Sequence, residues 1–88
     1  MPEAPEEGKL IGEVTQYFGH PEVAIIKLEE SLEVGDTIRV VGGTDTDFEQ
    51  EVTSMEVDNE KIEEAEAGDE VGVKVDEKVR ETYEVYKV

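Results

Sequence analysis

The chain has 88 residues, no cysteine, and 25 acidic against 8 basic side chains, for a formal charge of −17. A chain of this size holds one small core, burying roughly 60% of its unfolded surface, and without thiols it has no disulfides, no thiolate metal site and no cysteine nucleophile. The acidic excess repels polyanions, which are held mainly by Lys and Arg on phosphates, so direct nucleic-acid binding is disfavoured.

Apolar residues make up 36% of the chain, below the ~45–50% usual for globular domains. Their placement nevertheless points to a folded domain, because they fall in short alternating runs separated by turn signals. Met1 to Gly8, MPEAPEEG, is rich in Pro and Glu without periodicity and is expected to be a flexible acidic leader, 1–8, ahead of a single β-barrel domain, 9–88. The start of the chain shows no basic segment followed by an apolar one, and nowhere do about 18 apolar residues run together. A cytoplasmic location without membrane contact is expected.

Leu10 to Phe18, LIGEVTQYF, reads as a first strand, and GHPE, Gly19 to Glu22, as a turn. Val23 to Glu29 forms the second strand, with Ala24, Ile26 and Leu28 facing inward and Lys27 outward. Glu33 to Asp36, EVGD, turns the chain into Thr37 to Gly42, where Ile38 and Val40 flank Arg39; Gly42 to Asp47 is a loop. In Phe48 to Asp58 the alternation breaks, since Val52 lies three residues from Met55, and an extra residue near Thr53 and Ser54 predicts a β-bulge. Asn59 to Gly68 is too short and too charged for a stable helix; a short strand or turn near Lys61 and Ile62 and an exposed acidic loop are expected. Glu70 to Val75 and Tyr83 to Val88 are the last strands, joined by DEKVRET, Asp76 to Thr82. Several short strands spaced about 10 residues apart, with no convincing helix, point to a small barrel or sandwich. Closure would remove exposed edges, and a monomer is expected. The expected core is Val14, Ala24, Ile26, Leu28, Ile38, Val40, Val52, Met55, Val57, Val71, Val73 and Val75.

A turn feeding a strand occurs twice, as LEVGDTIRV, Leu32 to Val40, and as AEAGDEVGVKV, Ala65 to Val75. Glycine before an acid gives φ > 0 cheaply, and the acid can accept from nearby amides, so each unit re-aims the chain into a strand. In order, IGEV, LEVGDTIRV, VTSMEV, EEAEAGDEVGVKV and the closing VYKV resemble the second domain of translational GTPases such as elongation factor Tu. DFEQEVTSMEVDNEKIEEAEAGDEVGVKVDEKVRETYEVYKV is similar to small stand-alone translation elongation factor-like proteins and to the C-terminal barrel of some collagenase-like peptidases. The resemblance covers about residues 10 to 88 and implies a six-stranded antiparallel Greek-key barrel whose two turn–strand units are corners. Because such a barrel is grafted onto many proteins, fold alone does not give function. The phosphate-cradling G-x-x-x-x-G-K-[ST] loop of those GTPases is missing, so no nucleotide hydrolysis carries over. The barrel of elongation factor Tu helps hold the aminoacyl end of tRNA, which supplies an alternative reading as an RNA acceptor-end binder working through Lys74, Lys78 and Arg80.

His20 is the only histidine and reads as a turn residue rather than a ligand, having no partner for a metal. Asp45, Asp47 and Glu49 alternate like the start of a calcium loop but lack its central glycine and later bidentate Glu. No metal or cofactor is implied. Paired carboxylates need a cleft to separate their pKa values, which a small filled barrel does not offer; a chain without catalytic residues is expected, and an unrecognised hydrolase is the remote alternative. Tyr17, Phe18, Phe48, Tyr83 and Tyr86 could stack bases, but Phe18 and Phe48 read better as core or barrel-end plugs and the tyrosines as half-buried. Glu60, Glu63, Glu64, Glu66, Asp69 and Glu70 crowd one connection against Lys61. The leading expectation is therefore a non-catalytic module that docks on a protein or ribonucleoprotein with a basic face, using Glu63, Glu64, Glu66 and Asp69.

Overall fold

A computed structural model of the chain describes residues 9–19, 22–43, 46–58 and 60–88. The leader expected over 1–8 lies outside the described residues. Among the described residues ten strands succeed one another: β1 (Lys9–Gly19), β2 (Glu22–Leu28), β3 (Leu32–Glu33), β4 (Thr37–Gly42), β5 (Thr46–Glu51), β6 (Met55–Val57), β7 (Glu60–Ile62), β8 (Glu64–Ala65), β9 (Glu70–Lys74) and β10 (Glu84–Lys87). Eight of them form one sheet in the order β5-β4-β10-β1-β2-β9-β6-β7, and β3 pairs with β8.

Every pairing is antiparallel. β5 and β6 are successive pieces of one stretch, the first paired with β4 and the second with β9, so the sheet wraps round and meets itself along that stretch. Gln50 bridges the seam. Its side chain is buried, its Nε2 donates to the Lys74 carbonyl at 2.8 Å, and its Oε1 accepts from the Asp76 amide at 2.8 Å. One side chain thus satisfies two backbone groups where strand pairing stops. The all-β antiparallel barrel class is as the sequence indicates. The count is higher than six because one strand is broken in two and β3, β7 and β8 are short additions outside the main ring.

The barrel interior contains Ile11, Val14, Ala24, Ile26, Leu28, Leu32, Ile38, Val40, Val52, Met55, Ala65, Val71, Val73, Val75, Val79 and Val85. Val57, expected inside, is only half-buried and packs against this cluster from its margin, since the β6–β9 register ends at Glu56 opposite Gly72. Ile11 belongs to the core although simple alternation does not select it. β1 carries register shifts between Leu10 and Gly12 against β10 and between Val14 and Gln16 against β2. Each bulge adds a residue, so Ile11, Val14 and Tyr17, spaced by three, all reach the core. The interruption at Val52–Ser54 is not the expected bulge. Strand pairing lapses there and the chain turns a corner from β4 to β9, while Val52 stays buried, its amide on the Asp36 carbonyl and its carbonyl on the Gly35 amide, both at 2.8 Å.

The two glycine–aspartate turns are built alike. At the first, the Asp36 amide donates to the Glu33 carbonyl at 3.1 Å, the Asp36 carboxylate accepts from the Glu33 amide at 2.9 Å, and Gly35 has φ 101°. At the second, the same bonds join Asp69 and Glu66 at 3.1 and 3.0 Å, and Gly68 has φ 95°. A turn whose third residue takes φ > 0 calls for glycine there. The Gly68 amide bonds to the Leu28 carbonyl and the Leu28 amide to the Asp69 carbonyl, just as Val52 is held at the first turn. The short strands leading into the turns, β3 and β8, pair with Leu32 opposite Ala65 and Glu33 opposite Glu64. The two units are therefore corners facing each other across an approximate two-fold relation.

Candidate docking surfaces

The acidic connection is anchored to the barrel at several points. Buried Ala65 anchors it, the Glu63 carbonyl accepts from the Val34 amide at 2.9 Å, and Ile62 packs against the core. With these inward anchors fixed, Glu60, Glu63, Glu64, Glu66, Asp69 and Glu70 all point to solvent. Glu64 stands directly opposite Glu33 in the β3–β8 register, and like charges in that position repel. Among the described residues no ion pair forms on any of these acids; the pairs present are Lys9–Glu30, Arg39–Asp47 and Lys87–Asp36. Glu63, Glu64, Glu66 and Asp69 are thus each exposed on the one connection that leads into β9. Asp69 has in addition a local task, closing its own turn on Glu66.

The basic set is divided. Lys74 ends β9, where its carbonyl receives Gln50. Lys78 and Arg80 lie beyond it, on either side of buried Val79, and line a depression of about 520 Å³ with Tyr17, Val79, Glu81 and Thr82; Lys74 is not part of its wall. Since Glu70 sits opposite Lys27 and Lys74 opposite Val23, the acidic connection enters β9 at one end and the basic residues follow its other end.

The five aromatics do not assemble into a stacking platform. Tyr17 on β1, Phe48 on β5 and Tyr83 just ahead of β10 pack against the core, Tyr86 is buried, and Phe18 is 51% exposed. The plug expected at Phe18 is thus wrong: beyond the second bulge Tyr17 turns inward and Phe18 outward. Tyr86 is buried rather than half-buried, and its hydroxyl donates to Glu84 at 2.9 Å; burial, then this bond, pushes the phenol above its ordinary range. Tyr83 lies flat on Gly42, where a Cβ would overlap its ring.

His20, Asp45 and Asn59 lie outside the described residues. Asp47 is gripped by Arg39, Nε to Oδ1 and Nη2 to Oδ2 both at 2.7 Å, and the hydrogen bond from that guanidinium holds the carboxyl below the usual aspartate range. Glu49 is exposed on β5 opposite Arg39. Among the described residues, no three Asp, Glu or His side chains gather as a metal shell, and no helix is long and apolar enough to cross a membrane.

The C-terminal domain of a U32 peptidase from Geobacillus thermoleovorans superposes with a TM-score of 0.84 at 17% identity, covering 91% of this chain and 92% of that domain. Its selenomethionine variant gives 0.82 at 16% identity, covering 88% and 96%. In sequence, 76 residues are 40% identical to an uncharacterized protease of Methanocaldococcus jannaschii, 86% of this chain but 19% of that protein. The family model for elongation factor Tu domain 2 matches residues 23–85, a span running from β2 through both glycine–aspartate corners into β10. On that match, the chain belongs to the elongation factor Tu domain 2 family.

Proposed function

We propose that this barrel is a non-catalytic binding module that docks a protein or ribonucleoprotein partner through the acidic surface of Glu63, Glu64, Glu66 and Asp69. The observation that carries the reading is the opposition of Glu33 and Glu64 across β3 and β8. Like charges held in register cost stability, and a partner bearing Lys or Arg at that place relieves the cost on binding. General solubility needs net charge but not this alignment. The non-catalytic part of the proposal draws on the filled barrel, whose interior is almost wholly aliphatic, and on the relatives, one of which is named as the C-terminal domain of a peptidase.

The experiment is a capture of partners from native lysate followed by association kinetics with the purified partner. Replacing Glu63, Glu64 and Glu66 by Gln slows association and weakens its salt dependence if the acidic surface docks. An unchanged rate with unchanged salt dependence contradicts the reading, and so does turnover of unfolded protein by the purified barrel.

A further inference from the structure

We propose that the depression between β1 and the Asp76–Thr82 connection binds the free C-terminal carboxylate of a peptide whose last side chain is apolar. This goes beyond the docking surface described above and lies at the other end of β9. The connection is pinned at several points. The Val75 amide bonds to the Glu22 carbonyl, the Thr82 amide to the Val14 carbonyl at 2.8 Å, and Val79 is buried. Thr82 has φ 75°, a left-handed conformation that a β-branched residue adopts only when its surroundings impose it, and such positions gather at ligand sites. Burying Val79 turns its neighbours Lys78 and Arg80 outward, onto the rim of an open, shallow depression of about 520 Å³.

The charge pattern narrows the ligand. Lys9, Arg39 and Lys87 hold acids; of the basic residues without an ion pair among the described residues, Lys78 and Arg80 are the two that share one depression, although Asp76, Glu77 and Glu81 lie on their connection. Two cations beside the half-buried ring of Tyr17 offer an anion site next to an apolar wall. A chain terminus carries its carboxylate and its side chain on the same Cα, so both fit within that reach, and a fixed cationic or amide cradle is a known way of capturing a free carboxylate. Glu81 lines the same wall, which favours a ligand with one negative charge over a polyanion.

The test is a titration of the full chain, observed by amide NMR, with an N-acetylated tetrapeptide ending in leucine, supplied as the free acid and as the C-terminal amide. The free acid is expected to shift Tyr17 and Lys78–Thr82, and amidation to weaken binding about tenfold or more, the order of one charged hydrogen bond. Lys78→Gln and Arg80→Gln, both at exposed positions, are expected to do the same, while Glu66→Gln leaves the affinity unchanged. Equal affinity for acid and amide overturns the proposal. Shifts elsewhere on the barrel overturn it too, as does a 5′-phosphorylated RNA tetranucleotide binding these residues more tightly than the peptide.

Discussion

The corner at Glu33–Asp36 and the corner at Glu66–Asp69 share a backbone and differ in their surroundings. Corresponding hydrogen bonds agree within about 0.1 Å, a closeness expected where turn geometry is set by glycine and a side-chain acceptor. At the first corner the turn aspartate is paired: the Asp36 carboxylate lies 3.5 Å from the Lys87 ammonium. The second has no such cation among the described residues, and three more acids, Glu63, Glu64 and Glu66, surround it in sequence. Turn chemistry requires Asp69 but none of those three. What the fold does not demand is where a recognition role has room to act, and that asymmetry underlies the docking proposal.

If the two units are structurally equivalent, damage to their strands should be equally costly. Val40 follows the first corner and Val73 the second, and both are fully buried. Truncating either to Ala should cost about 1–3 kcal/mol, read from denaturant melts, and a much smaller loss at one would break the equivalence. Next come the glycines. A Cβ at Gly35 or Gly68 meets no atom within 4 Å, so the Ala variants test backbone strain alone. Each should lose about 1–2 kcal/mol, and the two losses should match.

The aspartates should separate the corners. Asp69→Ala removes one turn hydrogen bond, about 1 kcal/mol, while Asp36→Ala removes the same bond and the contact with Lys87, adding a few tenths of a kcal/mol. That excess should vanish in high salt; an excess that persists would mean the difference is not electrostatic. The smallest effect has the opposite sign. Glu64→Gln relieves the repulsion by Glu33 and should raise stability by a few tenths of a kcal/mol at low ionic strength, a gain visible as a higher Tm. A lower Tm would show that Glu64 holds a favourable contact.

Much of the barrel was legible in the chain because burial on one face imposes period two. Ala24, Ile26 and Leu28, and likewise Val71, Val73 and Val75, are buried as their alternation indicates. Both turns could be read from Gly–Asp alone. The misses have local causes. Ile11 is hidden by bulges that stretch its spacing to three residues, and Leu32, Ala65 and Val79 are single apolar residues among charges, with no period to reveal them. Gln50 is polar, so no apolar pattern could mark it as the closure of the seam. The acidic run was visible as composition, but the opposition of Glu33 and Glu64 depends on pairing between segments far apart in sequence, and no short-range pattern carries that. For the same reason the sequence joined Lys74 to Lys78 and Arg80, where the fold keeps only the last two around one depression.

The docking claim is tested most directly by titrating the chain with a deca-lysine peptide and following backbone amides by NMR. Shifts are expected to concentrate at Glu63–Glu70 and at Glu33 opposite them, and to be lost when Glu63, Glu64 and Glu66 are replaced by Gln. Shifts of equal size at the other exposed acids, such as Glu13, Glu22 and Glu49, and unaffected by those substitutions, would contradict it.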